Sequence, residues 1–361
     1  MSIRVAVGQF KELTADDISF CRQLGVSGIT VNRPDFDAPS WRAFLNKHYP
    51  YGPADFNQSE TWDFMDLVNL RLRLEENGLR LEAIENVPYR FIDQILTGGP
   101  QQDRQIDNYC ETVRNLGRAG IGTLGYHFAP NLVWRTSTSR PGRGGAGVSA
   151  FDLEQARQAP PTHKRMIDES ELWGHYAKFI TRVLPVAEEA GVLLSLHPDD
   201  PPVPTLGGVD RIMNSIAGYE KAFAIGNSPN HGMTFCVGTW GQMGGEIIYD
   251  ALGKFLREKR VFYLHFRNID GAVPTFSECF IDEGDVDVTR IVQILQSNSY
   301  DGFVIDDHVP QMVHDTPWGH RGRAFSTGFL KGLIRGMGAD IAYPVGSVAS
   351  SGRQESLHPR P

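Results

Sequence analysis

The stretch LWGHYAKFITRVLPVAEEAGVLLSLH, Leu172 to His197, reads as one helix and one strand joined by a single glycine. Apolar residues recur at three-to-four spacing from Leu172 to Ala190, which predicts an amphipathic helix, and Gly191 stands where such a helix stops. Val192 to His197 is a short apolar run that ends on a histidine, the pattern of a buried strand carrying a functional group at its tip.

Outward from this unit the alternation repeats in both directions. Strand-like runs lie at Arg4 to Gln9, Gly28 to Asn32, Leu79 to Asn86, Gly122 to Phe128, Met233 to Val237, Val261 to Phe266 and Phe303 to Asp306, making eight in all. Helical patterns fall between them at Asp16 to Leu24, Leu67 to Asn77, Ile106 to Leu116 and Val288 to Ser297. Strand and helix alternating in this way predict right-handed parallel βαβ units. Eight of them predict an α/β fold closed as a (β/α)8 TIM barrel, with residues 1–338 as a single catalytic domain. The alternative is an open doubly wound sheet, which lacks support because no GxGxxG follows the first strand. Two insertions interrupt the pattern, Pro34 to Thr61 after strand 2 and Trp134 to Pro161 after strand 4. The second carries RPGRGGAG at Arg140 to Gly147, without the Lys-Ser/Thr of a phosphate-binding loop, and is expected to form a mobile lid over the barrel mouth. Residues 339–361 show little periodicity and are expected to form a loosely ordered tail.

The bulk composition fits this reading. A chain of 361 residues with 41% hydrophobic and 22% charged residues can bury a sizeable core. A net charge of −8 argues against a nucleic-acid surface. No apolar run approaches the roughly 18 residues that span a bilayer, and the start MSIRVAVGQF has no signal-peptide pattern, so a cytoplasmic protein with no membrane partner is expected. The four cysteines are scattered with no CxxC pair, which excludes a disulfide framework and a zinc ribbon.

In a TIM barrel the chemistry sits at the C-terminal strand ends. Strand 5 ends in His197, strand 6 carries Cys236, strand 7 carries His265, and strand 8 ends in Asp306, Asp307 and His308. A lone buried cysteine or histidine is usually a core residue. Four successive strand ends with ligand side chains are a transition-metal constellation, and the thiolate favours Fe(II), Zn(II) or Co(II) over Mg(II) while leaving Mn(II) open. Neighbouring strand residues face opposite ways, so only one of Asp306 and Asp307 faces the ion. Arg267 and Asn268 follow His265 directly and are expected to contact substrate. Arg135, Trp134 and Tyr126 after strand 4 are further candidates, and Glu85 at the end of strand 3 is placed to orient a ligand or touch a hydroxyl.

Further motifs are IENVP at Ile84 to Pro88, IDNYCETVRNLGRAGIGTL at Ile106 to Leu124, LSLHPDDPP from Leu194, GGVDRIM from Gly207, TFCVG, LHFRNI from Leu264, EGDVDV from Glu283 and LKGLIRGM from Leu330. Together they resemble the mannonate dehydratase family of xylose-isomerase-like barrels. The resemblance spans nearly all of residues 1–338. It implies a lyase that dehydrates D-mannonate, or a related aldonate, to a 2-keto-3-deoxy acid using Mn(II) or Fe(II). It places His197, Cys236, His265 and Asp307 at the metal positions and His308 at the acid–base histidine. The chain departs from the pattern elsewhere. The family's strand-8 arginine is replaced in Ile305-Asp306-Asp307-His308, and its catalytic tyrosine falls at Ala324. Its His-His-Ile-Pro after strand 2 is Asn32-Arg33-Pro34-Asp35, and His127 stands for an asparagine. His127, His314, His320, Arg321 and Arg323 are candidate replacement groups. A metal-dependent isomerase or epimerase on a keto-sugar, or another eliminating enzyme, is the alternative activity, and a non-catalytic sugar-acid binder is a third. A homo-oligomer taking a small sugar or sugar acid is expected.

Overall fold

A computed structural model describes residues 2–45 and 59–342 of the chain. Eight parallel strands ring its centre: β1 (Ser2–Phe10), β2 (Gly28–Asn32), β3 (Arg80–Glu85), β4 (Thr123–Tyr126), β5 (Leu193–Leu196), β6 (His231–Cys236), β7 (Val261–Phe266) and β8 (Phe303–Asp306). Each pairs with the next, and β8 returns to β1 through Arg4↔Phe303, Val5↔Val304 and Ala6↔Ile305. The sheet is therefore a closed barrel, as the alternation predicts. The outer helices are α1 (Ala15–Leu24), α2 (Phe64–Glu75), α3 (Gln102–Arg118), α4 (Glu169–Ala190), α5 (Ile216–Ile225), α6 (Ile247–Arg257), α7 (Val288–Ser297) and α8 (His320–Gly336). The helix read from Leu172 starts three residues earlier, where the Asp168 side chain accepts from Glu171 N at 2.8 Å. It stops at Gly191, whose φ of 67° only glycine adopts without strain. None of the described helices is long and apolar enough to cross a membrane.

Inside the barrel, Ala6, Ala83, Tyr263, Phe303 and Ile305 form a layered plug, with Tyr263 stacked on Phe303 at 4.7 Å between centroids. Gly125 makes room for it: a Cβ there would stand 2.3 Å from the Tyr263 hydroxyl. Outside the strands, the buried faces of the helices pack against the barrel wall, α4 through Leu172, Tyr176, Phe179, Ile180 and Val183. Each such side chain contributes about 1.5–3 kcal/mol on burial.

A titratable ring lies in this outer layer. His231 starts β6, fully buried. Its Nδ1 lies 2.7 Å from Gly226 O, and Nε2 lies 2.9 Å from Tyr176 Oη and 3.2 Å from Tyr126 Oη, the arrangement of a neutral ring that donates once and accepts the phenols. Burial pulls its pKa down to about 4, with the Gly226 carbonyl opposing and Arg260 assisting. Between pH 6.5 and 4 the unfolded chain takes up a proton that the folded ring refuses. Stability is thus fully present above pH 6.5 and is lost as pH falls through that window, by on the order of 3 kcal/mol from this group. Urea unfolding across pH 4–7 is expected to show this loss, and His231→Gln is expected to flatten it; an unchanged slope in the variant would assign the acid lability elsewhere.

The insertion after β4 is built as a sheet, not as the free lid expected. Ser137–Pro141 and Gly147–Asp152 form a hairpin whose turn is the glycine-rich segment. It pairs with a second hairpin, Asn268–Ala272 and Thr275–Cys279, that follows β7, and Gly147 exchanges backbone hydrogen bonds with Gln311 in the loop after β8. Phe151, Ala156, Val203, Leu206, Ile269 and Phe276 form a small core beneath it. Backbone pairing with distant loops ties this segment down, which composition alone does not reveal. The insertion after β2 is described only in part. There Trp41 of the short helix Pro39–Phe44 packs on Phe36 and Phe44, and residues 46–58 lie outside the described residues. Of the expected tail, Asp340–Ala342 pairs in parallel with the start of β1, and residues 343–361 lie outside the described residues.

Candidate active site

The C-terminal strand ends open into a cleft of about 770 Å³. Register brings the ligand side chains to one level, since Cys236 pairs with His265, and His265 with Ile305 two residues before Asp307. His197 follows β5, and its backbone N–H donates to Tyr126 O at 2.9 Å. One donor atom from each of His197, Cys236 and His265 lies within 4.8 Å of the other two, and all three residues are buried. Asp307 Oδ2 stands 3.7 Å from His265 Nδ1 and 3.9 Å from Cys236 Sγ. Asp306 turns away to Arg323 Nη1 at 2.7 Å and Gly8 N at 3.3 Å.

The hydrogen bonds around this group engage one nitrogen of each histidine and leave the other turned toward the group. His197 Nδ1 lies 2.7 Å from Pro198 O and so carries the proton, which leaves the lone pair on Nε2. His265 Nε2 lies 2.9 Å from Glu85 Oε2, while Nδ1 is buried with no hydrogen-bond partner among the described residues. A carboxylate holding one ring nitrogen while the other faces an ion is the usual support of a metal-bound histidine. Thr239 Oγ1 donates to Cys236 Sγ at 3.1 Å. Burial and the neighbouring His265 pull His197 down to about 4, so the ring is neutral at neutral pH. Burial pushes the Asp307 carboxyl up, but His308, His265 and Arg267 outweigh it and hold the group well below the usual range. Burial opposes it, but Glu85 and Asp307 hold the His265 ring well above the usual imidazole range, so a cation would bind there by displacing that proton. Two imidazoles, a sulfur and a carboxylate suit a divalent transition metal.

A second group shares His197. Glu85, His127 and His197 offer donor atoms within 4.8 Å of one another, and the His127 ring stacks on His197 at 4.0 Å and 8°. Glu85 is fully buried, and Gln9 Nε2 donates to its Oε2 at 2.9 Å. Asn32 in turn donates to Gln9 Oε1 at 2.7 Å, and Asn86 links Asn32 to the His127 backbone. Gln9 is a participant that the sequence reading passed over. Its signal was a polar residue at the end of an apolar strand.

The residues expected to touch substrate divide into two sets. His127 lines the cleft, and Glu85 is buried behind it, 3.5 Å from His127 Nε2 and 2.9 Å from His265 Nε2. Arg267 is buried and spends its guanidinium on Asp307 Oδ2 (2.9 Å), Asp200 Oδ2 (2.8 Å), Thr239 Oγ1 (3.2 Å) and Glu278. Arg135 forks onto Asp200 at 2.7 and 2.8 Å and reaches Glu278 at 2.7 Å. Asp200 and Glu278 were not singled out from the sequence, although Asp200 stands three residues beyond His197 in the same motif. Tyr126 points out of the barrel to Tyr176 and His231, because it and His127 face opposite sides of the chain. Asn268 binds the backbone of Val286 and Ile269, and Trp134 packs under the antiparallel sheet. Of the proposed replacement groups, Arg323 lines the cleft but is paired with Asp306, His320 bonds Asp17 at 3.1 Å, and Arg321 bonds Val313 O.

His308 lies at the cleft wall with Nε2 3.7 Å from Asp307 Oδ1. Its φ is 40°, and Arg33, Asn86 and Leu132, which line the same cleft, have φ of 53°, 62° and 56°. Left-handed backbone costs a non-glycine residue on the order of 1 kcal/mol, and such strain gathers at functional sites.

Fold and mouth together define a TIM-barrel enzyme with candidate metal-binding groups at the C-terminal strand ends. The D-mannonate dehydratase (UxuA) family model matches residues 17–164 and 153–341, and the chain belongs to that family. Mannonate dehydratase of Geobacillus thermodenitrificans is 29% identical over 312 residues, covering 76% of this chain and 80% of its own. The crystal structure of mannonate dehydratase from Streptococcus suis serotype 2 superposes with a TM-score of 0.81 at 25% identity, over 96% of this chain and 99% of that one. L-ribulose 3-epimerase, at 14% identity and a TM-score of 0.54 over 92% and 95% of the two chains, shares the fold.

Proposed function

We propose that this chain removes water from D-mannonate or a related aldonate to give a 2-keto-3-deoxy acid, with His197, Cys236, His265 and Asp307 holding Mn(II) or Fe(II). The observation that carries the reading is the orphaned, buried Nδ1 of His265 facing Asp307 while Glu85 holds the other nitrogen. Bound there, the ion would supply Lewis acidity for the negative charge that develops as a carbon acid is deprotonated. The protein groups do the rest. His308 reaches into the cleft as the acid–base group. Burial lowers its pKa, with Asp307 opposing, so that the neutral ring accepts the C2 proton. The C3 hydroxyl leaves as water with a returned proton, and the resulting enol tautomerises to the ketone. Arg267 and Arg135 act as positioning residues that hold Asp307, Asp200 and Glu278, and Glu85 orients His265.

The test is mass spectrometry of the Mn(II)-loaded protein against D-mannonate, other aldonates and keto-sugars, beside metal analysis of Cys236→Ser. Loss of one water from an aldonate, abolished by chelation, together with a sharp fall in the metal content of the variant, is the expected result. A mass-neutral conversion of a keto-sugar would replace dehydration with epimerisation or isomerisation. Full metal occupancy in Cys236→Ser would remove Cys236 from the ligand set.

A further inference from the structure

Arg33 follows β2 in the left-handed conformation, its backbone N–H shared between Glu85 O (3.0 Å) and Asn86 O (3.2 Å). The side chain lines the cleft with Asn32, Asn86 and His127. It makes no ion pair or hydrogen bond among the described residues. The buried arginines around it are committed: Arg135 and Arg267 to Asp200 and Glu278, Arg211 to Asn131 and the Leu132 carbonyl, with Asp199 nearby, and the partly buried Arg323 to Asp306. Glu85, the carboxylate whose charge acts on Arg33, is already shared by His265, Gln9 and His127, and the sequence neighbours Asp35 and Asp37 pair with Arg90. Burial lowers the Arg33 pKa, and the charge of Glu85 offsets this only in part. A partly desolvated guanidinium without its own counter-ion is a site that an anion completes, and its planar fork suits a carboxylate or a phosphate.

Position says which part of a ligand it meets. The four ligand side chains come from β5, β6, β7 and β8, whereas Arg33 comes from β2, across the ring from β6. The end of a sugar acid held at the ligand group lies away from Arg33, and the end reaching Arg33 is the remote one. Resting on the ligand set of the proposed function, we infer that Arg33 is an anion subsite for the remote end of the substrate, so the preferred sugar acid carries a second anionic group there. That group is a carboxylate, as in an aldaric acid, or a phosphate ester.

Calorimetric titration of the Mn(II)-loaded protein with D-mannonate, D-mannarate and 6-phospho-D-mannonate tests this. Charge-assisted hydrogen bonds predict that at least one dianion binds about 10- to 100-fold more tightly than D-mannonate. The dianion that does so identifies the anion. Arg33→Gln is expected to erase the preference while leaving D-mannonate affinity within about threefold, and Arg33→Lys to keep part of it. Equal affinities in the wild type, or a preference that survives Arg33→Gln, would overturn the inference. Binding is read without turnover. A subsite can therefore stand while dehydration fails, and dehydration of D-mannonate without any dianion preference would sink the subsite alone.

Discussion

His308→Ala is expected to lower the dehydration rate by about 10²- to 10⁴-fold, the usual contribution of one positioned acid–base group, with folding and metal content unchanged. His308 is about one-third exposed, and its closest charged neighbour is Asp307 at 3.7 Å, so little packing depends on it. Among the described residues it has no hydrogen-bonded partner to orphan. Its ring lines the cleft on the loop after β8, one residue beyond Asp307, where a proton at the substrate carbon next to the ligand group would be within reach. Two readouts separate this role from a structural one. Turnover and exchange of the C2 proton with deuterated water should fall together, while the melting temperature and bound metal stay at wild-type values. Turnover within about threefold of wild type would move the acid–base role to another cleft group, of which His127 is the nearest alternative.

Arg267→Met is expected to cost about 3–5 kcal/mol of stability, the usual result of removing one partner from a buried charge network. Asp307, Asp200 and Glu278 all receive hydrogen bonds from this one guanidinium, and Arg267, Asp200 and Glu278 are almost wholly buried. Arg135 still serves Asp200 and Glu278 in the variant, but Asp307 loses its 2.9 Å donor. Metal affinity should therefore fall together with stability. Arg267→Lys should rescue poorly, because an ammonium cannot fan out to three carboxylates from one plane. The surroundings are cut to the fork: a Cβ on Gly238 would lie 2.5 Å from Arg267 Nη1. Denaturant titration with parallel metal analysis measures both effects. A loss below about 1 kcal/mol with full metal retention would mean that solvent or Arg135 takes over the carboxylates.

Which parts of this site could be read in advance follows from the range of the interactions involved. His197, Cys236, His265 and Asp307 were legible because each sits at the end of a strand that local patterning marks, and the barrel's closure carries strand ends to one mouth. The choice of Asp307 over Asp306 came from the family resemblance, and the structure turns Asp306 to Arg323. Tyr126 was misjudged because GTLGYHF has no polar alternation to say which residue faces inward, and a one-residue change of facing exchanges Tyr126 for His127. Arg267 and Arg135 were expected at the substrate because their chemistry suits a carboxylate. The carboxylates they meet are the protein's own, 67, 11 and 40 residues away for Arg267.

The sequence by itself determined the eight-fold strand and helix alternation, hence the barrel, its catalytic end and the residue types gathered there, since periodicity and strand ends are properties of neighbouring residues. Only the tertiary structure decided which cations are spent on buried carboxylates and that Arg33 faces the cleft without an ion pair among the described residues. It alone also tied the glycine-rich insertion into a sheet. Charge pairing and sheet pairing are settled between segments far apart in the chain, and the identity of a residue does not state which partner reaches it first.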